Sequence, residues 1–152
     1  TQPVNNSNYS VVVKRIIMEQ KDYLLREIAK IGVLLRAITD RLRRRKEKEV
    51  REGNEQSDET FGILLEETGF DFNGFLTMDE NSAKEYLAGF KGFNNENLEL
   101  LADILFDTGF ADNSINQPCL IKALMLYEIC NSIDFTYSFD RERRIMQIRE
   151  VL

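Results

Sequence analysis

The sequence predicts an all-α fold: a long N-terminal helix, then helical hairpins, then a C-terminal helix. Three observations predict it. Nothing from Met18 to Glu52 breaks a helix until Gly53. Capping residues stand ahead of the later apolar periodic segments. Strand-like alternation survives no more than four residues, with "YSVVV" the one exception.

Residues 1–17 are expected to form an extended lead-in. Met18 followed by "EQKDYLLREI" suits the start of a chain. The first seventeen residues are then either an upstream extension or a native segment ordered by packing, and the sequence leaves both open. Residues 18–52 form the long amphipathic helix. Leu24, Ile28, Ile31, Leu35, Ile38 and Leu42 recur at alternating steps of four and three, an a/d stripe over nearly three heptads. Such a stripe can pack on its own domain. A helix of about 35 residues is roughly 50 Å long, whereas the remaining hundred residues form a body about 25–30 Å across. Part of the stripe is therefore expected to overhang and dock on a second copy of the chain.

After a polar linker at 53–57, the body occupies 57–152. Ser57 or Asp58 is suited to cap a helix through Thr68. Asp79 or Asn81 starts one through Leu87, and Asn94 or Asn95 starts one through Thr108. Asn116 or Gln117, with Pro118 in the first turn, begins a helix to Cys130 or Asn131. Ser138, followed by Asp140 and Glu142, begins the last helix.

Five of the eight glycines precede phenylalanine: Gly69, Gly74, Gly89, Gly92 and Gly109. Gly69-Phe70 and Gly109-Phe110 fall where helices should end. They predict helix C-caps, glycine taking the left-handed conformation and phenylalanine folding back on the last turn. Gly74-Phe75 reads as a loop anchor. Shifted by forty residues, the body matches itself. Phe61 falls on Leu101, Gly62 on Ala102 and Leu64-Leu65 on Ile104-Leu105. The Gly-Phe pairs at 69 and 109 coincide, as do Ala83 and Ala123, while Leu87 falls on Tyr127 and Phe90 on Cys130.

On these residues the chain resembles a degenerate tetratricopeptide repeat. Gly62 or Ala102 stands three before Leu65 or Leu105, Gly69 or Gly109 closes the first helix, and Ala123, Tyr127 and Cys130 form the second helix's small-aromatic-small set. The loops "FDFNGFLTMDEN" and "FADNSINQP" are longer than in a regular repeat, no proline closes the second helix, and Phe90 replaces a small residue. The resemblance implies hairpins rather than regular superhelical stacking. The chain is also similar to a small family of bacterial proteins of unknown function, from about "KDYLLREI" to "ALMLYEICNSIDFTYSFDRERRIMQIRE". That likeness covers most of residues 18–152 and implies the same architecture.

Apolar content of 43% and charged content of 30% fit a globular chain. No run approaches the roughly 18 apolar residues of a membrane span. No small-residue cleavage site follows the apolar start, so a secretory signal is not expected. The chain contains no histidine, which removes the commonest general base and metal ligand. No enzyme activity, cofactor or metal is expected. Cys119 and Cys130 lie eleven residues apart on one helix, roughly 16 Å, too far to bridge. They are read as buried thiols of a cytoplasmic protein.

Charge is uneven. Residues 53–140 hold three basic and seventeen acidic groups, whereas 41–52 hold seven and three. The basic patch is Arg41, Arg43, Arg44, Arg45, Lys46, Lys48 and Arg51. It could contact nucleic-acid phosphates, but it lacks interleaved aromatics or amides for bases. Pairing with the acidic body is preferred. Asp71, Asn73, Asp79 and Glu80 fail the calcium-loop register, since Gly74 falls fourth instead of sixth. Glu66, Glu67, Asp103 and Asp107 are read as a solvated helical face rather than acid/base pairs. The expected function is a non-enzymatic protein–protein interaction or scaffold module that self-associates through the long helix and also binds an unidentified protein. The alternative is a nucleic-acid-associated regulator using Arg41–Arg51. No membrane partner is expected.

Overall fold

The computed structural model describes residues 6–47 and 55–152. Among them the chain forms seven α-helices: α1 (Asn6–Glu47), α2 (Glu55–Thr68), α3 (Phe72–Thr77), α4 (Glu80–Ala88), α5 (Asn95–Gly109), α6 (Gln117–Ile133) and α7 (Phe139–Val151). The protein is all-α, with no strand among the described residues. The long N-terminal helix and the terminal helix are both present.

The caps are chosen by local chemistry. Asp79 accepts from Ser82 N at 2.7 Å, Asn94 from Asn97 N at 3.0 Å, Asn116 from Cys119 N at 3.3 Å and Ser138 from Arg141 N at 3.2 Å. Asp71 caps α3 by accepting from Gly74 N at 3.0 Å. That short helix occupies a stretch expected to be loop, and Gly74 lies inside it. Asp71 and Asp79 are thus committed to helix N-termini.

The two expected glycine C-caps differ. Gly69 has φ +79° and donates to Leu65 O at 2.8 Å, the single bond of an αL motif. Phe70 N turns instead to Thr68 Oγ1 at 3.2 Å, and its ring is fully buried. Gly109 is a helical residue, the last of α5, and the expectation of a left-handed cap there is corrected. Asp112 and Asn113 take the left-handed positions, with φ 57° and 55°. A Cβ on Gly109 would collide with Leu120, so its smallness serves the close approach of α6. Phe110 packs edge-on to Phe106. Four of the five Gly-Phe rings meet in one cluster. Phe70 lies 5.4 Å from Phe75, 5.5 Å from Phe90 and 5.2 Å from Phe93 between ring centroids.

The core centres on α5 and α6. Gly109 faces Leu120, Tyr127 Oη donates to Asp103 at 2.5 Å, and Cys130 Sγ reaches Asn95 O, so the helices run antiparallel. Leu101, Ala102, Leu105, Leu120, Ala123, Leu126 and Tyr127 are all fully buried. The two sequence repeats are not packed alike. Phe61 and Leu64 are buried like Leu101 and Ile104, and Ala83 like Ala123. Gly62 and Leu65, however, are exposed where Ala102 and Leu105 are buried. The reason is spatial. α5 packs against both α1 and α6, whereas α2 meets α1 and α3, its buried side chains among the described residues being Phe61 and Leu64, with Phe61 stacked on Phe72 at 3.8 Å.

Asp103 departs from the expected solvated face. Besides the Tyr127 hydroxyl it meets Arg144 at 3.3 Å, joining α5, α6 and α7. Burial raises its carboxyl pKa, the Tyr127 and Arg144 contacts working against that rise. Burial, then the Asp103 charge, pushes the Tyr127 hydroxyl far up. Cys119 and Cys130 are free and buried, and burial pushes their thiols up to about 11 and about 12. Lys122, also buried, donates from Nζ to Met78 O at 2.6 Å and so closes the end of α3.

Candidate self-association surface

The expected docking stripe divides into a covered part and a bare part. Ile31, Leu35 and Ile38 are buried against the chain's own body, and Ile28 and Leu42 are half-buried. Only Leu24 is exposed. The expectation that part of the stripe docks on a second copy therefore does not extend to Ile31, Leu35 and Ile38, which pack within the chain itself. At roughly 1.5–3 kcal/mol for each fully buried aliphatic side chain, they hold α1 onto the body.

A crossing built from small residues makes this contact close. A Cβ on Gly92 would strike Ile31 Cδ1 and the carbonyl of Glu27. Buried Asn97 donates from Nδ2 to Ile28 O at 2.9 Å and to Gly92 O at 2.7 Å, tying α1 to the α4–α5 loop. Arg36 and Glu96 add an exposed ion pair at 2.8 Å, of small energetic weight.

N-terminal to this crossing the helix continues bare. It starts at Asn6, so the extended lead-in expected at 1–17 is corrected to helix from residue 6 onward. The physical reason is propagation. Once the docked turns are formed, each added residue gains a backbone hydrogen bond without a new nucleus, and neither Gly nor Pro interrupts residues 6–31. Tyr9, Val11, Val12, Val13, Ile16, Ile17, Met18, Tyr23 and Leu25 are all exposed.

The bare turns repeat the docked ones. Eighteen residues make five turns at 3.6 residues per turn, so residues eighteen apart share one azimuth. Val13 stands over Ile31, Ile16 over Leu34, Ile17 over Leu35 and Leu24 over Leu42, with Gln20 over Ile38. Val13 is 41% exposed where Ile31 is 2%, and Ile17 is 57% exposed where Leu35 is fully buried. Tyr9 falls within the same face. The helix thus carries one apolar face along its described length, covered where the body packs against it and bare toward its N-terminus. Where the bare part leaves the body, Ile16, Glu19, Gln20, Tyr23, Leu24 and Lys91 line an open groove of about 540 Å³.

Of the basic patch, Arg41, Arg43 and Arg44 are exposed and Arg45 is half-buried. The side chain of Lys46, together with Lys48 and Arg51, lies outside the described residues.

A second exposed apolar feature had no counterpart in the sequence reading. From the α6–α7 loop into the first residue of α7, Phe135, Tyr137 and Phe139 alternate with Thr136 and Ser138, and Phe135 and Phe139 are 97% and 81% exposed. Tyr137 and Phe139 pack edge to face at 4.8 Å. The loop backbone is clamped from below. Buried Arg141 meets Glu99 at 2.9 Å, Asn131 Oδ1 at 3.0 Å and Asp134 at 3.5 Å. Asp134 accepts from Thr136 N at 2.9 Å, a bond that lowers its pKa, with Arg141 adding to the effect. The available signal was three aromatics at alternate positions between two aspartates.

Among the described residues no helix is long and apolar enough to cross a membrane, and no cluster of His, Cys, Asp or Glu is arranged to hold a metal ion. Compared with protein-family models, curated proteins and solved structures, the chain finds no match.

Proposed function

We propose that this protein is a non-enzymatic interaction or scaffold module that self-associates through the N-terminal half of α1. The observation that carries this reading is the bare continuation of the docked face, with Val13, Ile16, Ile17 and Leu24 five turns from Ile31, Leu34, Leu35 and Leu42. Two physical arguments support it. Contiguous exposed apolar surface of this extent marks a contact site in folded proteins. In addition, Val11, Val12, Val13, Ile16 and Ile17 are β-branched and weak helix formers, so an uncovered helix of this composition is poorly supported by propensity alone. A partner surface would supply the missing stabilisation. The α5–α6 hairpin, with Ala102, Ala123, Tyr127 and Cys130 buried between helices, supports the tetratricopeptide-like reading of the second unit. The body is then the scaffold from which α1 projects.

Mass in solution tests the proposal. At micromolar concentration the species should weigh twice the 17.7 kDa of one chain. The double variant Ile16→Ser, Ile17→Ser should return it to a single chain with its helical content retained. A 17.7 kDa wild-type species at that concentration sinks the reading.

A further inference from the structure

Resting on that reading, we propose that two copies pair antiparallel through residues 6–27 of α1. Tyr9 of each chain then enters the groove lined by Ile16, Gln20, Tyr23, Leu24 and Lys91 of the other. The direction follows from azimuth. The bare face and the docked face share one side of the helix, Val13 standing over Ile31 and Ile17 over Leu35. In a parallel pair with these faces together, both bodies would need the same space between the helices at the level of Ile31–Ile38. A stagger large enough to clear a body about 25–30 Å across would part the bare halves, which span about 33 Å. Reversing one helix puts the bodies at opposite ends. It also closes the assembly on a two-fold axis, the commonest symmetry of a homodimer.

The register follows from the groove. The body closes on α1 from Glu27 onward, where the Glu27 carbonyl lies against Gly92. Just N-terminal to that point the groove of about 540 Å³ stands open, with Lys91 at its edge. An aromatic ring suits such a setting, since the ammonium can sit against its face. Tyr9 lies on the bare face and is 71% exposed. Fifteen residues of straight helix, about 22 Å, separate it from Leu24 of its own chain, so only a second copy can bring the two together. Tyr9 against Leu24 sets Val13 against Gln20 and Ile16 against Ile17. It also brings Asn6, where the described helix starts, level with Glu27 at the edge of the body.

The surface is large enough. Tyr9, Val13, Ile16, Ile17, Tyr23 and Leu24 are between 39% and 71% exposed. At roughly 100 Å² apiece they offer about 600 Å² per copy, and the pair would hide about 1,200 Å², the lower end of specific interfaces. Charge opposes the pairing little. Residues 6–27 hold the basic Lys14, Arg15, Lys21 and Arg26 against the acidic Glu19, Asp22 and Glu27.

Single-cysteine chains test the arrangement. Cys119 and Cys130 are buried with raised thiol pKa values and so react slowly. An introduced cysteine is then the preferred target of a short bismaleimide. Full-length Tyr9→Cys and Leu24→Cys proteins, mixed and treated, should give a crosslinked dimer well above the yield of either alone. In the antiparallel pair two copies of residue 9, or two of residue 24, stand about 22 Å apart, beyond the reach of the reagent. Crosslinking of each protein alone, with nothing gained on mixing, means parallel helices and overturns this inference while leaving self-association standing. No crosslink in a species of twice the 17.7 kDa chain mass also overturns it. No crosslink in a one-chain species overturns both. Independently, Tyr9→Ala should raise the dissociation constant of the dimer at least about 10-fold. An unchanged constant overturns the inference, and the exposure of Tyr9 and Leu24 keeps these variants folded.

Discussion

The two halves of α1 carry the same apolar face, yet they live in different solvents. From Ile31 to Ile38 the face is buried in the chain's own core, with Gly92 and Asn97 shaping a close crossing. From Tyr9 to Leu25 the same azimuth meets water. Periodicity therefore reports that a face wants to be covered, but not by what. A stripe that reads as one dimer seam in sequence is split by the tertiary fold into an intramolecular anchor and a bare extension.

Substitutions at matched azimuths test that split. Leu35→Ala should have the largest effect, lowering folding stability by about 2–5 kcal/mol at any protein concentration, as measured by urea unfolding. A loss that vanished on dilution would instead place Leu35 in the subunit interface. Asn97→Ala removes the donor shared by Ile28 O and Gly92 O and should cost about 1–3 kcal/mol. It should also speed amide exchange in the Glu27–Ile31 turn selectively. A loss spread evenly over α5 and α6 would deny Asn97 its role as the tie between α1 and the α4–α5 loop. Ile17→Ala, five turns before Leu35, should change the stability of the isolated chain by no more than about 0.5 kcal/mol. Its effect should appear only as weaker self-association in sedimentation.

The smallest effect concerns α5's other face. Burial raises the Asp103 carboxyl above its ordinary value of 3.8, so the folded state binds its proton more tightly than the unfolded chain does. The stability contributed by this group is present below that ordinary value and is lost as pH rises through the raised folded value. Asp103→Asn should remove this falling contribution. The wild-type-minus-variant stability difference, followed by urea unfolding, should therefore decline as pH increases above about 4. A difference that rises over the same range would mean that Tyr127 and Arg144 outweigh burial.

Much of the fold was legible locally because capping is local. Asp79, Asn94, Asn116 and Ser138 announce their helices through a side-chain oxygen and a backbone N–H three residues on. Gly69 was legible for the same reason. Gly109 was not, because its smallness answers Leu120 across the hairpin rather than its own backbone angle. The α3 turn escaped because a six-residue helix shows too little of a period to stand out from a loop. The valine-rich start looked extended because β-branched residues favour strands, while its helix is inherited from the turns that follow. Asp103 looked like surface because its spacing cannot reveal that Tyr127 and Arg144 close over it.

By itself the sequence determined the all-α class, the starts of α4, α5, α6 and α7, the long amphipathic helix and the free cysteines. These depend on periods, caps and rise per residue, all short-range quantities. Only the tertiary structure decided which third of α1 is anchored, why the two repeats pack differently, and that an aromatic loop stands clamped and uncovered beside α7. Those follow from which surfaces run out of neighbours, and that is a property of the packed chain rather than of any segment within it.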